Sequence, residues 1–235
     1  MAKSDNVEQT LNALFDAERK VRQLHDDIVA GNPNAVMDHV EKAMKKASDE
    51  PNEDEATLRL ERLAGLLGEF EGPRAVDLLI DILASELPGA REAAGSQLEG
   101  LAFDRFKEVA KGIERALKRL PVASPALPEL PYLLAEVAEA EPGVVKLLQA
   151  FMTHADADAV AAAIEVAVIV GDPSLVSSLE KLQRDNRTVE MSNEQGEEGE
   201  VTIGELALDA IDLLEGVSEE DGEGAEPPPK NEQFN

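Results

Sequence analysis

The sequence predicts an all-α fold: a right-handed α-α superhelix of about five helical hairpins, with an extra N-terminal helix and a disordered C-terminal tail. Three observations predict it. Pro73, Pro142 and Pro173 each precede a helical stretch, with Val76, Val145 and Val176 three residues on and Leu79, Leu148 and Leu179 six residues on. The steps between these prolines are 69 and 31 residues, so the first spans two units of roughly 35, the length of a helical-hairpin repeat. Apolar residues make up 43% of the chain but aromatics only 3%, so the core must be built from Ala, Leu, Val and Ile. Such side chains suit close helix–helix packing.

The elements follow in order. Residues 4–30 read as one helix, capped by Ser4, with Val7, Leu11, Leu14, Val21, Leu24 and Ile28 at helical spacing. Gly31, Asn32 and Pro33 end it. A second helix covers 34–48, with Val36, Val40, Ala43 and Met44 inward, and a charged loop follows to Asp54. Residues 54–70 carry Leu58, Leu60, Leu63, Leu66 and Leu67. Glu71, Gly72 and Pro73 then turn the chain into Val76, Leu79, Ile80 and Leu83. Proline suits the first helical turn, where its missing N–H leaves nothing unpaired.

After a break at Leu87–Gly89, residues 90–102 and 105–120 make the next pair, turning at Phe103 and Asp104 without a proline. Pro121, Pro125, Pro128 and Pro131 then form a rigid connector that no regular helix interior tolerates. Further pairs are expected at 131–140 with 143–153, and at 156–170 with 174–185. Residues 186–202 form an acidic insert, in which 188–191 and 200–203 could pair as a hairpin. Thr202 with Glu205 is a capping box that opens a last helix, 203–215. From Glu215 the chain carries seven acidic residues against Lys230, a disordered composition. The expected organisation is therefore a capping helix over 1–32, a repeat array over 33–216 and an acidic tail over 217–235.

The runs 63–83, 134–152 and 164–182 share their turn and apolar positions. In these residues the chain resembles the HEAT-repeat (armadillo-like) family in its short bacterial form. The resemblance spans roughly 33–215 and departs from the family pattern at the proline connector, at the 186–202 insert and at the missing turn proline near 104. It implies an α-solenoid, an architecture that serves many functions. Some HEAT-like branches are enzymes, so each was sought in the residues. The metal-dependent hydroxylase branch uses His-Glu pairs, whereas here His25, His39 and His154 precede Asp26, Val40 and Ala155. Nothing marks a tetrapyrrole site for the bilin-lyase branch. The DNA-glycosylase branch needs a basic surface.

The net charge is −27, from 22 Lys and Arg against 49 Asp and Glu. Such a chain repels nucleic acid and anionic membranes, and favours a basic protein partner. With no cysteine, thiolate metal sites, disulfides and Cys nucleophiles are excluded. The polar N-terminus and the lack of a long apolar run point to a bacterial cytoplasmic protein. His154, Asp156 and Asp158 alternate as ligands might, but Asp156 or Asp158 more simply caps the next helix. No cofactor and no metal are expected.

Function is therefore read as a non-catalytic adaptor or scaffold that binds a basic partner on an acidic surface. The alternatives are a HEAT-like lyase or modifying enzyme, or a structural subunit of a larger assembly. Partner-binding candidates are Asp77 and Asp81, with Lys146 and Gln149 in a later unit. Against the acidic background, Lys107, Lys111, Arg115, Lys118 and Arg119 form a basic stripe opposite Phe106, Val109, Ile113 and Leu117. It reads as a solvated face or as a dock for an acidic segment. The first helix could self-associate, but a seam through Leu11 and Leu14 also takes in Glu18 and His25, which favours a capping role.

Overall fold

The computed structural model describes residues 2–135, 137–138, 141–192 and 198–220. The described fold is all-α apart from one two-stranded sheet. It divides into two compact units, Met1–Leu101 and the chain from Ala102 onward.

The first unit holds α1 (Ala2–Val29), α2 (Pro33–Ser48), α3 (Glu53–Gly68), α4 (Pro73–Leu83) and the start of α5 (Pro88–Arg119). Local chemistry sets each start. The Asn32 side chain accepts from the Ala35 N–H at 3.2 Å, with Pro33 in the first turn of α2. Asn52 does the same for Glu55 at 2.9 Å. These caps satisfy N–H groups that a helix start leaves unpaired. Before α4 the chain needs φ of 105° at residue 72, a value glycine adopts freely. Pro73 then opens the helix.

Short loops fold α2, α3 and α4 into neighbouring hairpins that pack on one another. Their shared core holds Val40, Met44, Leu60, Ala64, Leu67, Val76, Leu79 and Leu83. Leu58, one of the leucines carried by 54–70, is exposed. Residues 56, 60, 64 and 67 make the buried stripe of α3, and position 58 lies about 160° round the helix from 56 and 60. On the surface, Arg74 of α4 bridges Asp38 at 2.7 Å and Glu41 at 2.5 Å, both on α2. Hydrogen bonding to Arg74 holds the Asp38 carboxyl below its usual range.

The boundary between the units falls within α5, between Leu101 and Ala102, and α5 departs from helical geometry at Arg105, just after Phe103 and Asp104, where the turn without a proline was expected. There the helix is broken rather than turned by a loop: Arg105 has φ −141° and ψ 47°, outside helical values. Beyond it come α6 (Ala126–Glu129), α7 (Tyr132–Ala135), α8 (Gly143–Phe151) and α9 (Ala157–Val170). The proline connector is not extended throughout. Pro125 precedes α6 in helical geometry and Pro128 sits in its single turn, where the N–H would be unpaired anyway. The helix expected over 131–140 is described only as α7; residues 136, 139 and 140 lie outside the described set.

α9 is the centre of this unit. It is buried along Ala159–Ile164 and at Val166 and Ala167, and it packs against α6, α7, α8, β1 and α11. Its alanines permit that crowding, since small side chains let surrounding elements approach. Gly171 ends it with φ 67°, the left-handed cap conformation. The helix expected over 174–185 is instead a 3-10 turn (Pro173–Leu175), one turn of α10 (Val176–Leu179) and a second 3-10 turn (Glu180–Leu182). The Ser177 hydroxyl donates to the Ser174 carbonyl at 3.4 Å, a local bond of the kind that competes with regular helix.

The hairpin read from the acidic insert is present. β1 (Thr188–Ser192) pairs antiparallel with β2 (Glu198–Thr202), from Thr188 opposite Thr202 to Ser192 opposite Glu198. α11 (Ile203–Glu220) follows at once and runs past residue 216, where the tail was expected to begin. The rest of that tail, 221–235, lies outside the described residues. The capping box forms as expected: Thr202 Oγ1 accepts from the Glu205 N–H at 3.2 Å, and Glu205 accepts from the Thr202 N–H at 2.9 Å.

Candidate functional site

The strongest site candidate is a groove in the first unit, built by the end of α2, the start of α3 and the end of α4. Its volume is about 410 Å³. Met44, Leu60 and Ile82 floor it, and Glu50, Glu53, Asp81 and Glu86 rim it. Fold geometry explains why these four carboxylates meet. In an up-and-down hairpin array alternate loops share an end, so the α2–α3 loop lies beside the loop after α4. Glu50 leans on Arg59 at 3.4 Å and accepts from the Asn52 N–H at 3.3 Å, so its position is set by the α3 cap region.

Asp81, one of the sequence candidates, lies in this groove and is half-buried; Asp77, one turn earlier on α4, is half-buried but outside the groove lining. Glu50, Glu53 and Glu86 were missed. Their signal was available, since the charged loop at 48–54 and the break at 87–89 are separated by one hairpin and so share an end. Lys146 is exposed and Gln149 half-buried on α8, in the other unit.

The basic stripe is real as a helix face. Lys107, Lys111, Lys118 and Arg119 are exposed and Arg115 half-buried, opposite the buried Phe106, Val109, Ile113 and Ala116. Leu117 is half-buried. The His154 region is a structural joint. Asp156 caps α9 by accepting from the Ala159 N–H at 3.0 Å, and His154 Nδ1 accepts from the Asp156 N–H at 3.1 Å. Asp158 is exposed in the first turn of α9. Among the described residues no group of three or more His, Asp or Glu is arranged to hold a metal ion.

Sequence reasoning also missed Arg187, which ties the hairpin to the α8–α9 loop. Its guanidinium donates to the carbonyls of His154 at 2.9 Å and Ala155 at 2.8 Å, and grips Asp185 at 2.5 Å. That hydrogen bonding holds the Asp185 carboxyl below its usual range. Nearby, α11 starts in contact with the chain that precedes β1. The Gly204 N–H donates to Asp185 at 2.9 Å, and a Cβ at 204 would stand 2.8 Å from the Gln183 carbonyl oxygen. In the same unit, the Tyr132 hydroxyl donates to Glu165 and joins α7 to α9. Burial first, and then the hydrogen bond to the Glu165 carboxylate and its charge, push the Tyr132 phenol up.

The described part of the chain is thus an all-α protein with a groove of mixed character. No described helix is long and apolar enough to cross a membrane. No protein-family model matches the chain. No curated protein matches it either. Among solved structures, the crystal structure of an engineered protein, a Northeast Structural Genomics Consortium target, is 17% identical over 83% of this chain and 89% of its own, with a TM-score of 0.35. So loose a likeness carries no argument about fold or function.

Proposed function

We propose that this protein is a non-catalytic interaction adaptor or scaffold that takes a basic segment of another protein into the groove between α2, α3 and α4. The observation that carries the reading is the pairing of an apolar floor with a rim of four carboxylates. Lys and Arg match both features, since their methylene stems lie on apolar surface while their charged heads reach outward. The surplus of negative charge would steer such a partner inward and speed encounter at low salt. On this reading the packed helices α2 to α4 would be HEAT-like hairpins in a right-handed stack. The absence of cysteine supports a cytoplasmic setting.

The test uses a labelled peptide of alternating lysine and leucine, titrated against the full chain. Binding is expected to weaken several-fold when Glu53→Gln, Asp81→Asn and Glu86→Gln are combined, and to weaken as salt rises. A control variant neutralises three carboxylates in the other unit: Glu180→Gln, Glu190→Gln and Asp209→Asn. Equal weakening in both variants would reduce the effect to bulk charge and defeat the groove.

A further inference from the structure

α1 is an amphipathic helix without cover. Val7, Leu11, Leu14, Phe15, Val21, Leu24 and Ile28 are between 38% and 60% exposed. The capping role expected of this helix would bury that stripe, and α1 does not do so. A helix in water draws most of its stability from packing its apolar face, so a 28-residue helix with that face open lacks its main support.

The helix offers a cleaner seam than the one through Glu18 and His25. Val7, Leu14, Val21 and Ile28 recur every seven residues, and Thr10, Ala17 and Leu24 fall three after the first three of them. These are the a and d positions of a heptad, seven positions without one charged group. Glu18 and His25 then lie on the flank. In an antiparallel pair Leu24 meets Val7, Val21 meets Thr10 and Leu14 meets Ala17, six layers in each of which a larger side chain faces a smaller one, with Ile28 beyond the last of them. A parallel pair would instead stack Ala on Ala and Thr on Thr, leaving gaps that a close-packed seam avoids.

We propose that the α1 helices of two copies of this chain pair antiparallel, making the protein a homodimer. Length fits: from Val7 to Ile28 the seam runs three heptads, the span over which an a/d pattern argues a coiled coil. Charge fits too. α1 has four Lys and Arg against six Asp and Glu, a net of 4 − 6 = −2, so the rest of the chain carries −27 + 2 = −25. The helix carries two of the chain's 27 net negative charges, so two copies can meet there with little repulsion. A basic partner would seek the acidic remainder, and an anionic membrane surface would need a basic helix face. The stripe also continues at Ile28 into an apolar groove of about 410 Å³, where α1 meets α2 and α3. This inference is independent of the acid-rimmed groove.

Mass in solution tests it, by light scattering across the micromolar range on the full chain. The expected mass is twice that of one chain, persisting or strengthening as salt screens the acidic bodies from each other. Leu14→Asp with Val21→Asp should give a monomer whose remaining helices melt at an unchanged midpoint. Orientation is read in a chain free of native cysteine: Val7→Cys mixed with Leu24→Cys should cross-link under oxidation, whereas Val7→Cys alone should not. A wild-type monomer, a dimer that survives the double aspartate variant, or ready cross-linking of Val7→Cys alone would each overturn the proposal.

Discussion

Ser124, in the connector before α6, is 4% exposed, and its hydroxyl has no hydrogen-bond partner among the described residues. Its backbone is nonetheless well used: the N–H donates to Pro121 and the carbonyl accepts from Leu127, both at 3.0 Å. Alanine keeps those two bonds and removes a buried group that lost its water without compensation. Ser124→Ala is therefore expected to stabilise the fold by about 1 kcal/mol. The check is a denaturant titration, with a raised midpoint and an unchanged slope; a lowered midpoint would mean the hydroxyl has a partner. At this scale the sequence was partly legible. Gly31, Asn32 and Pro33 read as the end of the first helix, and the structure uses Asn32 and Pro33 to open α2 as well, since the N–H groups to be satisfied lie within three residues. The roles of Arg187 and Gly204 were not legible. Arg187 acts on carbonyls 32 and 33 residues away, and Gly204 is needed for a close approach that only tertiary packing creates.

At the scale of elements, the capping box of α11 is the best test of local reasoning. Thr202→Ala is expected to cost about 1 kcal/mol at neutral pH, the usual loss for an N-cap hydroxyl. Glu205 adds a pH dependence. Its carboxyl is held below the ordinary value of 4.5, chiefly by the hydrogen bond from the Thr202 N–H. A carboxyl depressed on folding stabilises above its unfolded pKa, and that contribution is lost as pH falls through the lower folded value. The melting midpoints of wild type and Glu205→Ala should therefore differ at neutral pH and converge as pH drops below 4.5. A constant gap would show that the carboxylate does not act through its charge. Elements with strong local signals were legible: α2 and α3 have side-chain caps and periodic apolar stripes, α4 a stripe behind Gly72 and Pro73, and α9 an aspartate cap before an apolar run. The 174–185 helix was misread because periodic leucines describe burial, which one turn of α-helix between two 3-10 turns satisfies as well.

At the scale of the molecule, 49 acidic side chains against 22 basic ones oppose compaction. Exposed ion pairs such as Arg74 with Asp38 offset little of that, since water and salt screen them. Self-repulsion should win, and the thermal midpoint should rise as sodium chloride is added from low ionic strength. Differential scanning calorimetry would measure it, and a midpoint that falls with salt would mean specific ion pairs outweigh the net charge.

The sequence by itself determined that this protein is all-α, with an aliphatic core, proline-opened helices and a strongly acidic surface. Those properties follow from periodicity, caps and composition, which act over a few residues or over none. Tertiary structure alone decided the rest. It bends α5 at Arg105, and it puts the alanine-rich α9 at the centre of its unit. It gathers Glu50, Glu53, Asp81 and Glu86 around one groove, because loops one hairpin apart share an end. It also leaves the apolar face of α1 uncovered. An amphipathic stripe says that a helix must be covered, and only the packed molecule shows whether its own chain supplies the cover.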